Sequence, residues 1–106
     1  MKGTNLGEFQ EIVMLSVVIL NDHAYGVTIK QEINNRMKRS ISRGALHTAL
    51  TRLEEKGFIK SAYGEPTAVR GGRRKRYYQV SQAGLAVLQE AKRLKEELWE
   101  QIPALI

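Results

Sequence analysis

Five side chains on one stretch of this sequence could recognise something outside the chain. Arg43, His47, Thr48, Thr51 and Arg52 follow one another at steps of four, one, three and one. A helix gathers such positions on one side. Fork-shaped guanidinium groups, an imidazole and hydroxyls are donors and acceptors suited to phosphate oxygens and base edges. A second group is denser. Arg70, Arg73, Arg74, Lys75 and Arg76 crowd into seven consecutive positions without an acidic residue, interrupted by Gly71-Gly72. Glycines let a backbone come close to a surface, and the arginines beside them supply forked donors. Neither group is built for bond-breaking. The chain has no cysteine, its two histidines His23 and His47 lie on separate elements, and no Gly-rich loop of the P-loop type occurs. An enzyme, a cofactor and a metal centre are therefore not expected. His23 reads as a loop residue, because no second ligand sits at useful spacing.

The first group needs a helix to position it, and the sequence supplies one from Ser42 to Gly57. Ser42 is a good N-cap and Gly57 a good left-handed stop. Leu46, Ala49, Leu50 and Leu53 form the apolar stripe opposite the polar side chains. Alone, this helix reads more readily as an ordinary amphipathic helix with a solvated face. Its neighbours argue otherwise. A helix over Val27–Met37, with Ile29, Ile33 and Met37 four apart, precedes it across Lys38-Arg39-Ser40, so the pair matches a helix-turn-helix. The joint holds neither Gly nor Pro, which leaves the turn itself weakly marked.

The second group needs a hairpin. Phe58–Tyr63 is rich in strand formers, Gly64-Glu65-Pro66-Thr67 breaks it, and Lys75–Val80 reads as the returning strand. The alternative is a disordered basic loop, but a hairpin directly after a helix-turn-helix is the winged form of that motif. The wing tip would then reach the backbone or minor groove beside a helix in the major groove.

Two further helices frame this unit. Leu6–Leu20 is apolar almost all round, with Phe9, Val13 and Val17 among its large side chains, and so needs more cover than one small domain offers. Ser81 caps a last helix running to about Gln101 and stopped by Pro103. On it Val87, Ala91, Leu94, Leu98 and Ile102 repeat at helical spacing beside Trp99. A second copy of the chain covers that stripe better than the core does. The expected fold is mainly α with a small β-hairpin (α+β): a winged helix-turn-helix over residues 6–80 and a C-terminal dimerisation helix over 81–102, in one domain.

Size and charge agree. The 106 residues suffice for one modest core, and no apolar run reaches the roughly 20 residues that span a bilayer. Without a secretory signal pattern, a soluble cytoplasmic protein is expected. The net charge of +6 favours a polyanionic partner.

In this arrangement the sequence resembles the PadR family of bacterial winged-helix regulators over nearly its whole length. The matching pieces are Leu6-Gly7-Glu8-Phe9, Tyr25-Gly26, Ser42-x-Gly44-x-Leu46, and Leu50-x-Arg52-Leu53-Glu54-x-Lys56-Gly57. Then come Gly64-Glu65-Pro66-Thr67, Arg70-Gly71-Gly72-Arg73-Arg74-Lys75-Arg76-Tyr77-Tyr78 and Ser81-x-x-Gly84. The wing string after the Leu-Glu-x-Lys-Gly helix end is the most specific of them. His47 and Thr48 depart from the Tyr and Pro common there. His47 either replaces the tyrosine's phosphate contact or reads a base.

The resemblance implies a homodimer, joined through the first and last helices, that binds an inverted-repeat operator and, as is usual in the family, represses. It also implies that some relatives release DNA when an aromatic molecule enters the dimer interface. Trp99 lies in a region suited to such an effector, although an interface anchor is the simpler role for it. On this reading Arg43, His47, Thr48, Thr51 and Arg52 face the major groove, with Arg43 and His47 as base readers. Ser42, Tyr25 and the helix N-terminus hold phosphate, and Arg70, Arg73, Arg74, Lys75 and Arg76 make the wing contact. The competing expectation is a winged-helix interaction module that docks on an acidic protein or structured RNA.

Overall fold

The computed structural model describes residues 6–64 and 74–103. In chain order they form α1 (Glu8–Leu20), a single 3-10 turn (Asn21–His23), α2 (Gly26–Met37), α3 (Arg43–Glu55), β1 (Ile59–Tyr63), β2 (Arg76–Val80) and α4 (Gln82–Glu100). Each expected element is present, with ends shifted by a residue or two. The first helix begins at Glu8 rather than Leu6, and Leu6 packs against the core from outside it.

Helix α1 runs through the centre, in contact with α2, α3, β2 and α4. Val13 and Met14 are fully buried on it, as are Ile29 on α2 and Leu53 on α3. Burying a side chain of this size contributes about 1.5–3 kcal/mol. Ser16 is the one buried polar residue among those described, and its hydroxyl donates to the Ile12 carbonyl at 2.9 Å.

The partner-facing assignment on α1 needs correction. Val13 and Val17, expected at a dimer interface, are 0% and 1% exposed within a single chain. They belong to the chain's own core and have no surface left to offer. Ala91 on α4 is likewise buried at 7%. An almost wholly apolar helix hides which of its faces its own domain covers. The uncovered face of α1 is Leu15, Val18 and Ile19. Phe9, Val87 and Leu94 are half-buried, while Leu98, Trp99 and Ile102 are exposed.

The joint between α2 and α3 has an internal brace. Lys38 takes the left-handed conformation at φ 54°, and its N–H and that of Arg39 both donate to the Asn34 carbonyl. The Asn34 side chain accepts the Ile41 N–H at 2.9 Å. Lys38 thus takes the place usually given to glycine, and the Asn34 bond braces the turn that follows.

Helix α3 ends on a Schellman motif. Phe58 N–H donates to the Leu53 carbonyl and Gly57 N–H to that of Glu54, with Gly57 at φ 80°. The strands pair antiparallel, Ile59 opposite Val80, Ser61 opposite Tyr78 and Tyr63 opposite Arg76. At the start of α4 the Ser81 hydroxyl accepts the Gly84 N–H at 3.0 Å and donates to the Gly57 carbonyl at 2.6 Å. Ser81 N–H donates to the Phe58 carbonyl. Gly84 is buried there, and a Cβ on it would stand 2.2 Å from the Phe58 carbonyl oxygen. Beyond Ala91, α4 leaves the body and is mostly exposed. An ion pair between Lys95 and Glu11 is its outermost tie to α1.

Candidate nucleic-acid interface

The polar side of α3 faces outward. Arg43, His47, Thr48, Thr51 and Arg52 are all exposed, while Leu46, Ala49, Leu50 and Leu53 fill the core behind them. Among the described residues, none of the Arg43, His47 and Arg52 side chains has an internal ion-pair or hydrogen-bond partner. The helix starts where the cap predicts: Ser42 Oγ accepts the Ala45 N–H at 3.0 Å. This leaves the N–H groups of Arg43 and Gly44 pointing out of the helix start, where the dipole favours an anion. The Ser42 hydroxyl can still donate outward.

Tyr25 caps α2 through its backbone. Its N–H donates to Thr28 Oγ1 at 3.0 Å, and the Thr28 hydroxyl donates back to the His23 carbonyl. The ring lies edge-on to Tyr77, with centroids 5.5 Å apart, and the Lys75 ammonium sits 4.3 Å from the Tyr25 centroid. Lys75 Nζ also donates to the Tyr25 hydroxyl at 3.3 Å. The start of α2 and the base of the wing thus meet at one cationic spot. Tyr78 N–H to the Ala24 carbonyl adds a backbone bond to the same seam.

Of the wing cations, Arg74 and Lys75 are exposed at its base, and Arg70 and Arg73 lie outside the described residues. Arg76 is occupied inside the chain. Its Nε donates to Ser61 Oγ at 2.8 Å, and its Nη2 to the two Glu54 oxygens at 3.2 and 3.3 Å. Ser61 in turn donates to Glu54 at 2.8 Å. The guanidinium lies 5.7 Å from the Tyr63 ring and 5.9 Å from that of Tyr78. Burial works against its charge, but Glu54 and the two tyrosines outweigh that and raise the Arg76 pKa above the ordinary guanidinium value. Burial pushes the Tyr78 hydroxyl up, with Arg76 pulling against it.

Sequence reasoning missed Asn34, Glu54 and Ser61. Asn34, in the last turn of a helix with no following glycine, is the residue type that could have marked the joint. Glu54 stood in a quoted motif without a role.

The arrangement is that of a winged helix-turn-helix, with a polar helix face exposed beside a basic hairpin. The profile of the PadR-like family of transcriptional regulators matches residues 14–90, and the chain belongs to that family. It is accordingly a DNA-binding transcriptional regulator rather than an enzyme. It is similar to an uncharacterised protein of Lysinibacillus sphaericus, 37% identical over 91 residues that cover 84% of this chain and 77% of that one. Among solved structures it resembles a PadR family transcription regulator from Clostridium difficile R20291, 29% identical, with a TM-score of 0.67 over 88% of this chain and 96% of that one. A PadR-like transcription factor from Bacteroides fragilis shares the fold at 24% identity, with a TM-score of 0.74 over 92% and 89% of the two chains.

Proposed function

We propose that the protein is a homodimeric repressor that binds an inverted-repeat operator. The observation that carries this reading is the solvent-facing row Arg43, His47, Thr48, Thr51 and Arg52, set beside a wing whose base exposes Arg74 and Lys75. Arg43 and His47 lie nearest the helix start and read bases, while Tyr25, Ser42 and the α3 N-terminus hold phosphate. The wing cations, Arg70 and Arg73 among them, grip the neighbouring backbone.

Dimerisation runs through the exposed faces of α1 and α4 and the residues just after α4. Leu15, Val18, Leu85, Leu98, Trp99 and Ile102 are each 42% exposed or more, a supply of apolar surface that favours cover by a second copy. A groove of about 530 Å³ between α1 and α4, lined by Leu15, Val18, Leu88 and Trp99, supports a second reading in which a flat aromatic effector stacks on Trp99. Because the chain has one tryptophan, quenching of its emission on titration tests that reading directly.

The decisive experiment for the main reading selects bound duplexes from random DNA at near-physiological salt. The expected product is a palindrome with half-sites about one helical turn apart, or a multiple of that. Binding without a shared sequence, however salt-sensitive, would favour the acidic-protein or RNA-docking module instead. Replacing Arg73 and Arg74 with Ala should weaken binding to all duplexes and flatten its salt dependence, by about 0.9 in log–log slope per phosphate released. An unchanged slope would take the wing out of the interface.

A further inference from the structure

One acidic residue stands where charge alone argues against it. Glu54 closes the last turn of the DNA-reading helix, next to the wing, on a protein whose binding partner is a polyanion. A carboxylate there repels phosphates and should cost affinity. It is nonetheless held by both strands of the hairpin at once. It takes two bonds from Arg76 on β2 and one from Ser61 on β1, and Arg76 also binds Ser61. These groups share the face of the hairpin turned to α3, since Ser61 pairs with Tyr78 and Arg76 with Tyr63 across the strands.

The geometry points to Glu54, Ser61 and Arg76 as a positioning cluster that sets the angle between the wing and the reading helix. Arg76 is then a positioning residue, distinct from the phosphate-gripping cations Arg74 and Lys75 beside it. The inference rests on the DNA-binding reading and adds how that surface is kept in register. Two strands joined only to each other are marginal, so a hairpin of this size takes its orientation from what it is tied to. Beside the Tyr78–Ala24 bond and the Tyr25 contacts toward α2, its tie to α3 is charge-assisted and forked, which fixes direction as well as distance. A lysine at 76 would keep the charge but could not serve Ser61 and Glu54 from two fixed nitrogens.

The test uses the full chain and the duplex selected by the wild-type protein, with affinity measured across a salt series and thermal melting alongside. Glu54→Gln keeps the shape and removes the negative charge. If charge alone mattered it would bind more tightly. The cluster predicts the opposite sign: about tenfold weaker binding, as charge-assisted bonds are lost. It also predicts a shallower salt slope, by about 0.9 for each phosphate the wing no longer reaches. Arg76→Lys should show the same losses despite its retained charge. Melting should stay near that of the wild type, since the pair is partly exposed. Should Glu54→Gln melt early, Ser61→Ala, which changes no charge, must show the same fall in slope. Equal or tighter binding by Glu54→Gln, or wild-type behaviour of Arg76→Lys, overturns the proposal alone. Failure of the wild type to select any duplex overturns the DNA-binding reading and the cluster's role together.

Discussion

Gly84 makes the sharpest prediction, because general rules and local geometry give opposite signs. On a helix, Gly→Ala ordinarily stabilises, by up to about 1 kcal/mol in the interior and less in a first turn such as that of Gly84. At Gly84 the new methyl would stand 2.2 Å from the Phe58 carbonyl oxygen, 2.7 Å from Val80 Cγ1 and 3.0 Å from Met14 Cε. The methionine can swing aside. The carbonyl cannot, since it belongs to the backbone and already accepts the Ser81 N–H. Overpacking costs about 1–3 kcal/mol, and a rigid backbone obstacle puts this site at the upper end or beyond. After the propensity gain, Gly84→Ala should destabilise by about 2 kcal/mol, or roughly 10 °C in Tm for a chain of this size. The matched control is Gly44→Ala, near the start of α3, where a Cβ meets nothing within 4 Å. That variant should melt at or slightly above the wild type. Far-UV circular dichroism at one fixed protein concentration reads both, because association shifts apparent stability. A Gly84→Ala protein as stable as the wild type would refute the close approach of α4 to the helix–strand corner.

Three other substitutions probe separate parts of the molecule. Arg43→Ala should relax base preference by roughly 1–3 kcal/mol if its contact is bidentate; equal loss on operator and random duplexes would make it a phosphate contact. Asn34→Ala leaves the Ile41 N–H without its acceptor, so it should lower unfolding free energy by about 1–3 kcal/mol and weaken operator binding with it. An unchanged denaturation midpoint would show that the joint needs no brace. Leu98→Asp, on the exposed end of α4, should convert a dimer to a monomer in sedimentation while leaving the monomer's helical content intact. A wild type that sediments as a monomer at micromolar concentration would end the dimer proposal.

What could be read from the sequence was local. The Ser42 and Ser81 caps, the Gly57 stop and the α3 stripe depend on neighbours within four residues, and each appears where its spacing requires. What could not be read was pairing at a distance. Arg76 looks like every other arginine in its run until a carboxylate 22 residues away is brought to it. Val13 and Val17 differ from Leu15 and Val18 only in which way they point, and an apolar helix with few polar markers conceals that. Nor did the α2–α3 joint advertise itself. Lys38 carries the left-handed turn usually given to glycine, and Asn34 makes the turn hold.

Ser81 has a bearing on how the two ends of the protein are joined. Its oxygen is shared between the last residues after α3 and the first turn of α4. The corner after α3 and the start of α4 are therefore joined directly, by the Ser81 hydroxyl, by the Ser81 N–H on the Phe58 carbonyl and by the close packing of Gly84. If α4 carries the proposed partner contact, a tilt of its outer half would press on the corner that ends α3.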